Sequence, residues 1–268
     1  MTLDATTIDT IANALHRAEK ERRRIRPPTA QYPGFTVEDA YAAQRRWVEI
    51  KVAEGNVIKG HKIGLTSRAM QRQANINEPD YGALMADMFY EGGAEIPVDR
   101  FIQPRLECEL GFVIGRRLKG PNCTIFDVLN ATDYVVPAAE IVDGRTHRID
   151  PDTDQPRSVL DSIADNAGNA ALIVGGRPIR PMEADLRWVG VLCYRNNVIE
   201  ESGVAAAVLN HPANGVAWLA NKLAPFDIAL EPGQFVLGGS FTSTVEARGG
   251  DVFHVDYGPL GSITSRFV

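Results

Sequence analysis

The stretch Arg105 to Gly115 (RLECELGFVIG) sets the strongest limit on the fold. It reads as a strand, and strand side chains alternate between faces. Leu106, Cys108, Leu110 and Phe112 then share one apolar face, while Glu107 and Glu109 stand side by side on the other. Like charges at i and i+2 on one face repel unless something neutralises them. Either that face is solvated, or the pair holds a hard divalent cation such as Mg²⁺ or Mn²⁺, which prefers carboxylate oxygens. The apolar face needs a second layer to cover it. A chain of 268 residues can build that layer without disulfides or metal staples.

The rest of the chain divides by texture. Ile8, Ile11, Leu15 and Ala18 recur at helical spacing and lead into a basic run, Lys20 to Arg26, that Pro27-Pro28 is expected to end. The run is either a solvated helix end or a patch for a phosphate or a partner. A second helix starts at Thr36, with Asp39 completing a capping box. It presents Ala40, Tyr41, Gln44, Trp47, Val48 and Val52 on one stripe and stops at Gly55. After Gly60 glycine, proline and β-branched residues rise. Strands are expected at 135–142, 171–174, 187–194, 234–237, 251–257 and 262–268, with helices at 124–133 and 212–223 and a hairpin turn at Asn196-Asn197. Gly60 to Ser67 reads as a turn with a strand stub, and Asp80 as a turn aspartate. The class is α+β, a mostly antiparallel or mixed sheet core with a helical N-terminal part.

Composition narrows the function. Apolar residues make 44% and charged residues 23%, and the net charge is −6, so nucleic acid is a poor partner. No apolar stretch is long enough for a membrane span, and the N-terminus lacks the features of a signal peptide. Three widely spaced cysteines, Cys108, Cys123 and Cys193, fit a reducing compartment, and a cytoplasmic location is expected. HExxH, GxSxG, Walker and Rossmann patterns are absent. A third carboxylate, Glu140, lies in the apolar run Val135–Val142, where a buried charge must be paired or coordinated. An ion pair to Arg145 and a third place on the cation both remain open. In Gly60–Ser67, Lys62 can supply a cation or a proton. Asp161–Asn169 is either a helix start or a polar pocket wall.

Taken in order, HKIGLTS (61–67), EPDYGAL (78–84), PRLECEL (104–110), VPAAEIVD (136–143), DSIADNAGNA (161–170), LNHPANGVAWLANKLA (209–224) and LGGSFT (237–242) resemble the hydratase/decarboxylase branch of the fumarylacetoacetate hydrolase superfamily. The resemblance covers nearly the whole chain, and the set of motifs is specific for the branch. It implies a mixed β-sandwich or β-roll catalytic core, residues 61–268, with a helical segment, residues 1–60, packed on it. It implies Mg²⁺, or Mn²⁺, on Glu107, Glu109 and Glu140, with Lys62 and Asp80 as catalytic residues. The backbone of Leu65 and Thr66 and the side chains of Ser162 and Thr242 follow as substrate contacts. Cys108 stands where an aliphatic residue is common, and it faces away from the glutamates.

The implied activity is metal-dependent addition of water to a 2-hydroxy-2,4-dienedioate or 2-oxo-enedioate. The product is a 4-hydroxy-2-oxo diacid, formed in aromatic meta-cleavage degradation. Three rivals stand beside it: a 4-oxalocrotonate-type decarboxylase of the same branch, a non-catalytic scaffold partner, and a C–C hydrolase. The last is expected to carry a His–Glu pair, which the spacing of His147 after Glu140 does not match. Arg72, Arg105, Arg145, His147 and Arg148 are candidates for a distal carboxylate. Homo-oligomers follow from the resemblance, a decamer of two pentameric rings among them.

Overall fold

A computed structural model describes residues 2–268. In chain order the elements are α1 (Ala5–Glu21), α2 (Pro28–Gln31), α3 (Val37–Ala53), β1 (Ile58–Gly64), α4 (Arg68–Gln73), β2 (Asp80–Met85), β3 (Phe89–Glu91), β4 (Glu95–Ile96), β5 (Arg105–Ile114), α5 (Ile125–Ala131), β6 (Thr132–Val142), α6 (Val159–Ala164), β7 (Asn169–Val174), β8 (Gly190–Arg195), β9 (Val198–Val204), α7 (Pro212–Leu223), β10 (Phe235–Leu237), β11 (Val245–Glu246), β12 (Val252–Asp256) and β13 (Ser262–Phe267). Eight strands form one mixed sheet in the order β2-β1-β10-β5-β6-β7-β3, with β11 also on β5. Five form a second sheet, β4-β13-β12-β8-β9.

The long β5–β6 ladder is the centre of the larger sheet. Leu106, Cys108, Leu110 and Phe112 are all buried, as their alternation requires. Cys108 and Cys193 are both buried free thiols. Tyr257, just after β12, donates its hydroxyl to the Ala138 carbonyl on β6 and stacks edge-on against Phe241, tying the sheets together. The helical part joins the same core. Thr36 and Asp39 form the expected capping box, and Ala40, Tyr41, Gln44 and Trp47 are buried. Val52 is 45% exposed, because the helix has run past the core by then. No helix among the described residues is long and apolar enough to cross a membrane.

Four local expectations need correction. The first helix ends at Glu21, not at the prolines, because Arg22 takes a left-handed conformation and its N–H caps the Ala18 and Glu19 carbonyls. Pro28 instead opens α2, where a missing N–H costs nothing. The stub at Gly60–Ser67 is the end of a full strand, β1, between β2 and β10. Asp80 begins the fully buried strand β2 and is no turn residue; the neighbouring proline and glycine disguised it. The strand expected at 187–194 begins at Gly190, after a tight turn of helix at Leu186–Trp188.

Candidate metal centre and active site

Register brings the carboxylates together. On the β5–β6 ladder Glu107 lies directly opposite Glu140, and Glu109 is two residues along the same face. One oxygen from each of Glu107, Glu109 and Glu140 lies within 4.8 Å of the others. Glu109 and Glu140 are fully buried and Glu107 is half-buried. Three carboxylates clustered on one face of a β-ladder are destabilising without a counter-charge.

The protein supplies only part of that counter-charge. Lys62 on β1 is buried, with its Nζ 3.3 Å from Glu140 Oε1 and donating to the Ala167 carbonyl at 3.1 Å. Burial alone would lower its pKa. The carboxylates of Glu140, then Asp80, Glu107 and Glu109, outweigh that and push it above the ordinary lysine range, so the ammonium stays charged. Asp80 reaches the same place because β1 and β2 pair with Gly64 opposite Asp80. A Cβ on Gly64 would lie 2.2 Å from Asp80 Oδ1 and 3.1 Å from Lys62 Nζ, so the missing side chain leaves the room both groups occupy. Burial raises the Asp80 carboxyl to about 6, with Lys62 opposing.

Burial, and then Glu140, hold the Glu107 carboxyl up at about 7. Glu109 is pushed well above the carboxylate range by the same causes. Glu109 Oε1, Glu140 Oε2 and Asp80 Oδ1 are buried without a hydrogen-bond partner. The cluster of Glu107, Glu109 and Glu140, all hard donors and two of them with an orphaned buried oxygen, fits a divalent cation of the Mg²⁺ type. Sequence reasoning left open whether Glu140 pairs with Arg145. It does not: Arg145 is buried against Asp165, and Glu140 faces Lys62.

Groups that sequence reasoning missed hold this cluster in place. Asn169 Nδ2 donates to Glu140 Oε1 at 2.7 Å. The Gly239 N–H donates to Glu109 Oε2 at 2.8 Å, from a backbone with φ +116°. Asn166 clamps both backbone groups of Ala83 on β2, at 2.7 and 2.9 Å. It and Ala167 have positive φ, which turns the Ala167 carbonyl towards Lys62. The run Asp165–Asn169 is thus a scaffold of the site; its small polar residues were the only sequence signal.

A cavity of about 510 Å³ opens onto these groups, lined by Lys62, Asp80, Glu107, Leu65 and Ser162 among others. Leu65 has a left-handed backbone, φ +54°. Two expected contacts lie elsewhere. The Thr242 hydroxyl accepts the Cys108 N–H at 3.1 Å, bracing β5; Thr244 takes its place on the cavity wall. Thr66 is buried beside Gly239 and does not line the cavity, its carbonyl accepting from the Leu209 N–H. Of the five candidates for a distal carboxylate, Arg105 and Arg148 line the cavity, and Arg72, Arg145 and His147 do not.

Residues 52–268 match the family described as fumarylacetoacetate (FAA) hydrolase C-terminal. The chain is 64% identical over 265 residues to a 2-oxo-hept-4-ene-1,7-dioate hydratase of Escherichia coli, covering 99% of each. It is 36% identical over 256 residues to a 2-keto-4-pentenoate hydratase of Paraburkholderia xenovorans, covering 96% of this chain and 93% of that one. Among solved structures, 4-oxalocrotonate decarboxylase from Pseudomonas putida G7, complexed with magnesium and adipate, superposes with a TM-score of 0.94 at 35% identity, covering 100% of this chain and 99% of that one. The chain belongs to the fumarylacetoacetate hydrolase family.

Proposed function

We propose that the chain is a divalent-metal-dependent hydratase, a hydro-lyase that converts 2-hydroxyhepta-2,4-dienedioate to 4-hydroxy-2-oxoheptanedioate in aromatic meta-cleavage degradation. The observation that carries the reading is the cluster of three glutamates beside one charged lysine and one carboxyl raised to about 6, of which Glu107, Lys62 and Asp80 line one cavity. The 64% identity to a hydratase of a seven-carbon 2-oxo-enedioate supports the substrate.

Glu107, Glu109 and Glu140 would hold Mg²⁺, or Mn²⁺. When bound, the ion supplies Lewis acidity towards the substrate's 1-carboxylate and 2-oxygen. The remaining work falls to this chain's own groups. Net reaction moves the 2-hydroxyl proton to C5, bonds the oxygen of water to C4 and places a proton on C3. Asp80, held near neutrality by burial, is suited to take and return those protons. Lys62 stays an ammonium and stabilises negative charge as it gathers on the 2-oxygen. Leu65 and Ser162 on the wall would contact substrate. Thr66 and Thr242 do not line it and act by positioning β1 and β5. Residues 1–60 pack on the catalytic domain, residues 61–268. We place the protein in the cytoplasm on its three free cysteines, and propose a homo-oligomer on its family resemblance alone.

The test is the product mass after incubation of 2-hydroxyhepta-2,4-dienedioate with the protein and Mg²⁺, beside an EDTA control. A metal-dependent gain of one water is expected. Loss of carbon dioxide would assign the chain to the decarboxylase activity instead. Metal-dependent turnover by Glu107→Ala would overturn the ligand assignment.

A further inference from the structure

Four arginines from three separate segments face the same cavity: Arg24 after α1, Arg105 at the start of β5, and Arg148 and Arg157 between β6 and α6. None of them has a carboxylate within 4 Å among the described residues, while Arg22 and Arg26 beside Arg24 are both paired. Their contacts are neutral. Arg24 donates to Gln103 Oε1 at 2.8 Å and to the Gly144 carbonyl at 3.3 Å. Arg157 reaches Thr146 Oγ1 at 3.4 Å. Arg105 Nη1 donates to Thr244 Oγ1 at 3.1 Å, but its Nε is buried without a partner. Arg148 makes no side-chain hydrogen bond among the described residues.

The contrast with the neighbouring cavity is direct. That space, about 770 Å³, is also lined by cations, but there Lys51 pairs with Glu19 at 2.7 Å and Lys20 with Glu54 at 2.5 Å. Arg145 pairs there with Asp165. In the catalytic cavity the arginines oppose one another. Burial first, and then Arg105, Arg157 and Arg24, push Arg148 below the ordinary arginine range, with Glu246 acting against them from a distance. Arg157 is pushed down by burial and Arg24, against Asp165 and Asp161. Unpaired, mutually repelling guanidinium groups held beside a cavity form a site for an anion.

Strand geometry sets the distance to that anion. Arg105 precedes Glu107 by two residues on one strand, so the two share a face about 7 Å apart. The two carboxylate carbons of an extended seven-carbon diacid are roughly 7–8 Å apart. We propose that Arg105 and Arg148 bind the distal carboxylate of the substrate, with Arg24 and Arg157 adding charge around it. The assignment rests on the hydratase reading of this site and adds the residues that would select dicarboxylates over monocarboxylates.

The test compares 2-oxoheptanedioate with 2-oxoheptanoate, which differ only in the terminal carboxylate, by calorimetric titration in Mg²⁺. Wild-type protein is expected to favour the diacid by about 10- to 100-fold, the range of a charge-assisted hydrogen bond inside a cavity. Arg105→Met and Arg148→Met should each cut that ratio at least fivefold, and Arg148→Lys should keep part of it. Arg148 is exposed, so its variants test the idea even if Arg105→Met folds poorly. Equal wild-type binding of the two acids, or an unchanged ratio in the Arg148 variants, would overturn this assignment alone. Wild-type binding of neither acid would overturn the reading of the site and this assignment with it.

Discussion

Replacing Glu107 by glutamine should stabilise the metal-free protein. Glu107 faces Glu140 across the β5–β6 ladder, and burial and that neighbour hold its carboxyl at about 7, against 4.5 for an ordinary glutamate. A carboxyl raised in this way favours the folded state only while it is protonated. The contribution is fully present below about pH 4.5 and is lost as pH rises through about 7. At pH 8 the ionised group therefore costs the metal-free fold up to roughly 3 kcal/mol. Glutamine keeps the shape and removes the charge. Lys62 keeps Glu140 at 3.3 Å, so the change leaves no orphaned ammonium.

At about 2–4 °C per kcal/mol for a domain near this size, Glu107→Gln should melt up to roughly 6–12 °C above wild type at pH 8 in EDTA. The difference should shrink towards zero by pH 4.5. Mg²⁺ at a hundred times its dissociation constant stabilises wild type by about 2.7 kcal/mol and should close the gap, since the variant lacks a ligand. Scanning fluorimetry at both pH values, with EDTA and with Mg²⁺, reads all four conditions. A variant less stable than wild type at pH 8 in EDTA, or a gap independent of pH, would refute the electrostatic argument.

Three further outcomes follow from the same geometry. Asp80→Asn should lower kcat/KM for hydration by about 10²–10⁴-fold while leaving Mg²⁺ affinity within a few fold, as steady-state kinetics and calorimetry would read. Asn169→Ala removes the 2.7 Å donor to Glu140 and should weaken Mg²⁺ binding about 10- to 100-fold; an unchanged dissociation constant would count against its orienting role. Gly64→Ala places a methyl 2.2 Å from Asp80 Oδ1, so kcat should fall more than tenfold with the fold retained, since the Gly64 backbone is not in the left-handed region. Circular dichroism beside the kinetics separates that loss from unfolding.

Much of this site was legible because it is written in strand alternation. Glu107 and Glu109 had to share a face once residues 105–115 were read as a strand, and burial of Leu106, Cys108 and Leu110 on the other face follows from the same period. Register was not legible. Nothing local says that Glu140 lies opposite Glu107 and not one residue away, where its side chain would leave the site; the pairing of β5 with β6 decides it. Asp80 was hidden for a related reason. Pro79 and Gly82 are turn residues by composition, yet β2 is buried at every position because β1 and the Asn166 clamp cover it. Asn169 and the Gly239 N–H act through hydrogen bonds to groups 29 and 130 residues away, which no spacing rule reaches.

The arginines show the same division within a single strand. The alternation that places Glu107 and Glu109 together also places Arg105 on their face, so one end of the cation rim was present in the period-two pattern. The pattern alone does not raise it above the other four candidates for the distal carboxylate, because a basic residue at a strand start has an ordinary solvent-facing explanation. What removes that explanation is tertiary: Thr244 and Gln103 cover the β5 entrance, the β6–α6 loop brings Arg148 and Arg157 over it, and the basic run after α1 delivers Arg24. β5 then runs from an unpaired guanidinium at Arg105 to a fully buried carboxylate at Glu109. A diacid whose 2-oxo end is held by a cation on the glutamate cluster would lie along that strand with its far carboxylate against the arginines. A monoacid would leave those charges uncompensated, and that difference is the physical source of selectivity.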